Sequence, residues 1–179
     1  MKKLVIINHR MKNFLFLFSV LFLGLISSAQ NDKSNRDAFK LEIAIDSINF
    51  YEQNVERSPY FVKEKVLQIY PSETLLIETE IKGDSIYSMK VVKENINPEK
   101  TIIIDFQQEV KNKQNERMIL SVTNPFNKTL RYEALMFVNG GSDWTPTSII
   151  PVRPKLKTFE MWNDVILSMV LVEWRFGEN

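Results

Sequence analysis

Cysteine is absent from the 179 residues, and histidine occurs once, as His9. His9 lies within the first 29 residues, so residues 30–179 contain neither type. That excludes a Ser-His-Asp triad, a Cys-His dyad, a disulfide, and zinc or copper sites of the usual ligand set. Glycine is scarce too. After Gly24 only Gly83, Gly140, Gly141 and Gly177 remain, which cannot build a phosphate-cradling loop or a dinucleotide fingerprint. No G-x-S-x-G elbow and no S-x-x-K motif is present, so the common serine nucleophile arrangements are missing. No cofactor and no metal site is expected. An excess of positive charge is lacking as well. The first 29 residues hold four of the 23 bases and none of the 22 acids, leaving residues 30–179 with a net charge of −3. Such a balance does not make a nucleic-acid surface.

What is present begins with a leader. Lys2, Lys3, Arg10 and Lys12 precede an apolar stretch over residues 14–26, broken only by Ser19 and Gly24, and Ser27-Ser28-Ala29 follow. The three parts predict a cleaved signal peptide over 1–29, cut before Gln30. A retained anchor is the alternative, but the 13-residue apolar stretch is shorter than the ~20 residues a spanning helix needs. No cysteine follows it, which excludes a lipid anchor by the lipobox route. The product is expected in the periplasm or secreted, with no stable membrane span after cleavage. A 150-residue chain buries about 68–70% of its unfolded surface, so export without disulfides is physically reasonable.

Residues 30–37, QNDKSNRD, are polar and aperiodic and read as a flexible tail, with order beginning near Phe39. The remainder, 38–179, reads as one domain. Phe39, Leu41, Ile43 and Ile45 alternate with Lys40, Glu42 and Ala44, the period of a half-buried strand. Residues 47–68 fit neither strand nor helix period and are expected to hold a strand and a short helix split near Pro59. Residues 74–81 and 85–92 flank Lys82-Gly83-Asp84 and predict a hairpin. A strand over 102–106 and a polar connection over 111–116 follow. Residues 118–122 and 130–138 alternate into and out of Asn124-Pro125-Phe126-Asn127-Lys128, predicting a second hairpin. Pro151 and Pro154 confine residues 149–154 to an edge or a loop, and residues 159–162 and 165–176 supply the last strands.

About eight short strands without βαβ alternation predict an all-β fold, a single antiparallel β-sandwich. A lipocalin-like barrel around an apolar ligand has the same sequence period and is the alternative. The run Val122-Thr123-Asn124 with the return Lys128-Thr129-Leu130-Arg131-Tyr132 resembles the strand-turn-strand hairpin of immunoglobulin-like domains of the bacterial, Bacteroidetes-type cell envelope. The resemblance implies an immunoglobulin-like sandwich that acts as an adhesive, spacer or ligand-binding module. It identifies no active site.

Paired acids need no histidine, and Glu78 and Glu80 share one strand face, where mutual repulsion would raise one pKa for glycosidic chemistry. The simpler reading is a solvated strand face, which leaves a carboxylate-only hydrolase as the third expectation. Ser88 with Lys90 is a further pair without a supporting motif. Asp143 in its turn falls far short of a calcium loop. Trp144, beside Asp143, is the indole best placed to stack on a sugar or plug into a protein, with Arg153, Lys155 and Lys157 to complete an anionic groove. A lid on the core is its other role, and Trp162 and Trp174 are expected in the core. Asp46-Ser47-Ile48 and Asp84-Ser85-Ile86 match a D-(S/T)-apolar pattern that resembles the O-glycosylation signal of exported Bacteroidetes proteins, marking Ser47 and Ser85 as acceptors. Asn127-Lys128-Thr129 matches the N-x-T sequon. The expectation is therefore a non-enzymatic exported module whose partner is an envelope protein or glycan.

Overall fold

The computed structural model describes residues 31–177; the expected signal peptide, residues 1–29, lies outside the described residues. The compact unit beginning at Lys33 carries the sheets. Its strands are β1 (Asn35–Arg36), β2 (Phe39–Ala44), β3 (Phe50–Val55), β4 (Ser58–Pro59), β5 (Phe61–Lys63), β6 (Val66–Ile69), β7 (Glu73–Lys82) and β8 (Ser85–Val92). After one 3₁₀ turn, Pro98–Lys100, come β9 (Thr101–Lys111), β10 (Gln114–Thr123), β11 (Thr129–Val138), β12 (Thr145–Thr147), β13 (Lys157–Trp162) and β14 (Ile166–Gly177).

Two five-stranded antiparallel sheets form a sandwich. One runs β13-β10-β9-β7-β8 and the other β12-β11-β14-β6-β5. Inward residues alternate along β9 and β11, and Ile102, Ile104 and Phe106 of β9 join Leu130 of β11 and Met169 and Leu171 of β14 in one buried cluster. Each such side chain contributes roughly 1.5–3 kcal/mol by leaving water. The sheets stay separate and side chains fill the space between them. The chain is therefore a sandwich, and the barrel alternative does not describe it. A second cluster, with Leu41, Ile43, Val55 and Leu167 at its centre, lies under the β2-β3 hairpin. The Gln108 side chain ties that hairpin to β9, accepting from Ala44 N at 2.9 Å and donating to Ala44 O at 2.7 Å.

Three expectations change and one, the polar connection 111–116, narrows. Within the expected tail 30–37, residues 33–36 are already paired before Phe39: β1 pairs with β4, Lys33 N donates to Val91 O and Tyr60 N to Ser34 O. Arg36 is 1% exposed. A composition of polar residues hid one buried side chain. Residues 47–68 contain no helix; Phe50–Val55 pairs with Phe39–Ala44, and Pro59 lies in the two-residue β4, where a ladder tolerates proline. The connection 111–116 is a tight turn between β9 and β10 in which Asn112 and Lys113 both take positive φ, 52° and 63°, as the favoured hairpin turns require. Finally, residues 118–138 are not a hairpin. β10 pairs with β9 and β13, and β11 with β14 and β12, so the turn at 124–128 carries the chain from one sheet to the other. The buried Asn124 side chain holds this corner, donating to Lys128 O, Val152 O and Arg153 O and accepting from Phe126 N.

Candidate functional site

A groove of about 460 Å³ lies along β11 on its β12 side. Its origin is local. β12 pairs with β11 only from Ala134↔Thr147 to Met136↔Thr145. Proline cannot donate to a ladder, and after Thr147 the stretch from Ser148 to Pro151 leaves the sheet before contact resumes at Leu130↔Val152, where both main-chain bonds are 2.9 Å. Tyr132 therefore sits between two pairing points with no strand residue opposite it on that side, among the described residues. On the far side β11 meets β14 through a bulge between Arg131 and Glu133, where Glu173 adopts a φ of 54°.

The register sets Arg131 directly opposite Arg175, a like-charge cross-strand pair that is unfavourable by itself. Glu133 accepts from Arg175 Nη2 at 3.3 Å. Arg131, exposed beside it, has no acidic partner among the described residues. Its side chain runs across Gly177, where a Cβ would collide with it. Leu135, Ile149, Pro146 and Pro151 give the groove aliphatic walls. The Tyr132 ring points inward, stacked on Trp174 with centroids 4.8 Å apart, and burial, aided by the nearby Glu160 charge, pushes its hydroxyl pKa far up.

The residues singled out from sequence lie elsewhere. Trp144 is 40% exposed and rests on Phe137, centroids 5.5 Å apart, over the smaller cluster to which Phe137 belongs. Asp143 is exposed and accepts from Ser142 Oγ at 2.8 Å. Arg153 is exposed and contributes its carbonyl to the Asn124 corner; among the described residues it shares no groove with Trp144. Trp174 is buried, and Trp162 packs against the core while donating to Thr147 Oγ1 at 3.0 Å. Ser47 and Ser85 are exposed at the turns joining β2 to β3 and β7 to β8. The Asp46 carboxylate caps the first of these by accepting from Ile48 N and Asn49 N, both at 2.9 Å. Arg131 lies between the buried Leu130 and Tyr132, and only the register across β14 reveals its pairing with Arg175.

Glu78 does not supply a protonated acid. Burial pushes the Glu78 carboxyl up, but the Asn97 amide, at 2.6 Å, and the Lys100 and Lys90 ammonium groups outweigh it and hold the pKa below its usual value. Glu80 is exposed and accepts from Ser88 Oγ at 3.1 Å, while Lys90 serves Glu78, so Ser88 and Lys90 belong to different carboxylates. A depressed folded pKa contributes stability that is present above the unfolded value, about 4.3 for Glu, and lost as pH falls through the folded one. Glu78→Gln is thus expected to be less stable than the wild type at pH 7 and to lose less on acidification. Urea midpoints at pH 7 and pH 3 that keep a constant gap between the two proteins would contradict this. Among the described residues no group of three acidic or imidazole side chains gathers as for a metal ion.

Comparison with family models, with curated proteins and with solved structures finds no match to this chain.

Proposed function

We propose that the chain is an exported, non-enzymatic binding module of the bacterial cell envelope that contacts an anionic group of a protein or glycan partner at the β11 groove. The observation carrying this reading is Arg131: an exposed guanidinium without an acid partner among the described residues, in a groove walled by aliphatic side chains. Guanidinium forks favour carboxylate and related oxyanions. The leader pattern supports export, and the exposed Ser47 and Ser85 turns fit modification after export. Trp144 and Arg153, with Asp143, become secondary candidates because they do not converge.

The reading is tested by expressing the full chain in a bacterial host that recognises the signal, fractionating the cells and weighing the product. The expected product begins at Gln30, lies outside the cytoplasm and binds envelope material in a manner lost in Arg131→Glu. A denatured mass above that of the 150-residue polypeptide, returning to it in Ser47→Ala/Ser85→Ala, would identify the acceptors. Retention of the uncleaved chain in the cytoplasm would overturn the export part. Envelope binding indifferent to Arg131 would overturn the choice of groove.

A further inference from the structure

We infer that the groove takes one carboxylate presented by an extended segment of a protein partner; this rests on the binding-module reading above. Charge sets the number. Among the described residues that line the groove, Arg131 and Arg175 against Glu133 leave a single positive charge. One carboxylate neutralises it, whereas a densely sulfated or phosphorylated polymer would meet Glu133 as a repulsive neighbour.

The main chain sets the partner class. Leu130 exchanges both hydrogen bonds with Val152, and in an antiparallel ladder these groups point to the same side at every second residue. The N–H and C=O of Tyr132 are consequently turned toward the groove, in the interval between Leu130↔Val152 and Ala134↔Thr147. A peptide group offers the complementary C=O and N–H. The interval from Leu130 to Ala134 is about 14 Å at a strand rise of ~3.4 Å per residue, the length of a three- or four-residue extended segment. A sugar finds less: binding a pyranose ring by stacking needs an exposed aromatic face, and the one aromatic residue of the groove, Tyr132, has its ring buried against Trp174.

Geometry also explains Gly177. Its missing Cβ lets the Arg131 side chain lie along β14, so Gly177→Ala should displace the guanidinium without altering any charge. Arg131 and Gly177 are accordingly a ligand-binding and a positioning residue.

The test is an NMR titration of the exported chain with three probes: blocked pentapeptide pools with Glu or Gln fixed at the middle position, sodium acetate, and a trimer of galacturonic acid. The Glu pool is expected to shift the Arg131 side-chain and Tyr132 amide resonances and to slow exchange of the Tyr132 amide. The Gln pool should bind at least about tenfold more weakly, the loss of one charge-assisted hydrogen bond pair. Arg131→Glu should weaken the Glu pool by about tenfold or more, and Gly177→Ala should weaken it too. Trp144→Ala and Arg153→Ala should leave it unchanged. Acetate binding as tightly as the Glu pool, without change at Tyr132, would overturn the peptide partner in favour of a small-carboxylate site. Arg131-dependent binding of the galacturonic acid trimer in place of the peptides would overturn this inference and leave the binding module standing. Absence of binding by all three would remove both.

Discussion

Arg36→Met is expected to destabilise the domain by about 3–5 kcal/mol, the range for removing one partner of a buried ion pair, a large part of the ~5–15 kcal/mol that holds a typical domain. The guanidinium is 2% exposed and engaged on every side. Nε and Nη2 donate to the two Glu73 oxygens at 3.0 and 3.3 Å, Nη2 also to Gln68 O at 2.7 Å, and Nη1 to Ser58 Oγ and Pro59 O. The Tyr60 and Tyr70 rings cover it at 4.6 and 4.9 Å from their centroids. Methionine preserves much of the volume, so the loss comes from a stranded Glu73 and from acceptors left without their donor. Lysine does not rescue, because an ammonium cannot make the fork. The double variant Arg36→Met/Glu73→Gln should recover part of the loss, since the uncompensated charge goes with it. Urea unfolding of the four proteins closes the cycle. A single-variant loss below about 1 kcal/mol, the value of an exposed pair, would mean that Arg36 is not enclosed in solution.

The consequence for the fold is that residues 33–36 close one side of the sandwich. Lys33 N bonds Val91 O on the edge strand β8, and β1 pairs with β4. The opposite side is closed by β12 and the loop after it, through Trp162 Nε1 to Thr147 Oγ1 and Ile150 N to Glu160 Oε1 at 2.6 Å. Both closures protect edges that would otherwise offer a template for association.

How much of this was legible in the sequence depends on the range of the interaction. The β7-β8 hairpin was readable because Gly83, with φ 59°, announces its turn within three residues. The β9-β10 turn was not, because Asn112-Lys113 pays for positive φ without a glycine. Alternation at 118–122 and 130–138 gave both strands and their inward faces correctly, yet a period of two is silent about which strand lies alongside; the chain changes sheets where a hairpin was expected. Arg36 sat unnoticed in a polar run because Glu73 is 37 residues away. Arg131 and Arg175 meet through the β11-β14 register, and nothing local to either residue foretells it. Trp144 stands out by residue type alone, and the β11 groove does not include it.

Asn124→Asp is expected to cost more than about 3 kcal/mol at pH 7, because it changes a buried donor into a buried charge. Asn124 is 1% exposed. Its Nδ2 group faces three carbonyls, Lys128 O at 2.8 Å, Val152 O at 2.9 Å and Arg153 O at 3.1 Å, while Oδ1 accepts from Phe126 N at 2.9 Å. Only an amide satisfies both sides. An ionised carboxylate would turn one oxygen toward three acceptors, with no hydrogen to offer, at the corner that passes the chain between the sheets. Protonation restores one donor, so the aspartic acid is favoured in the folded state and its folded pKa rises above the unfolded value of about 3.9. The sign follows: the variant keeps most of its stability below the unfolded pKa and loses it progressively as pH rises toward the folded one. The gap in unfolding free energy between wild type and Asn124→Asp, measured in urea at pH 3.5 and pH 7, should therefore widen with pH. Asn124→Ala, which removes the amide without adding a charge, should be destabilised by about 1–3 kcal/mol with a gap that does not move. A pH-independent gap for Asn124→Asp would mean that water reaches the carboxylate, and that the corner between the sheets opens in solution.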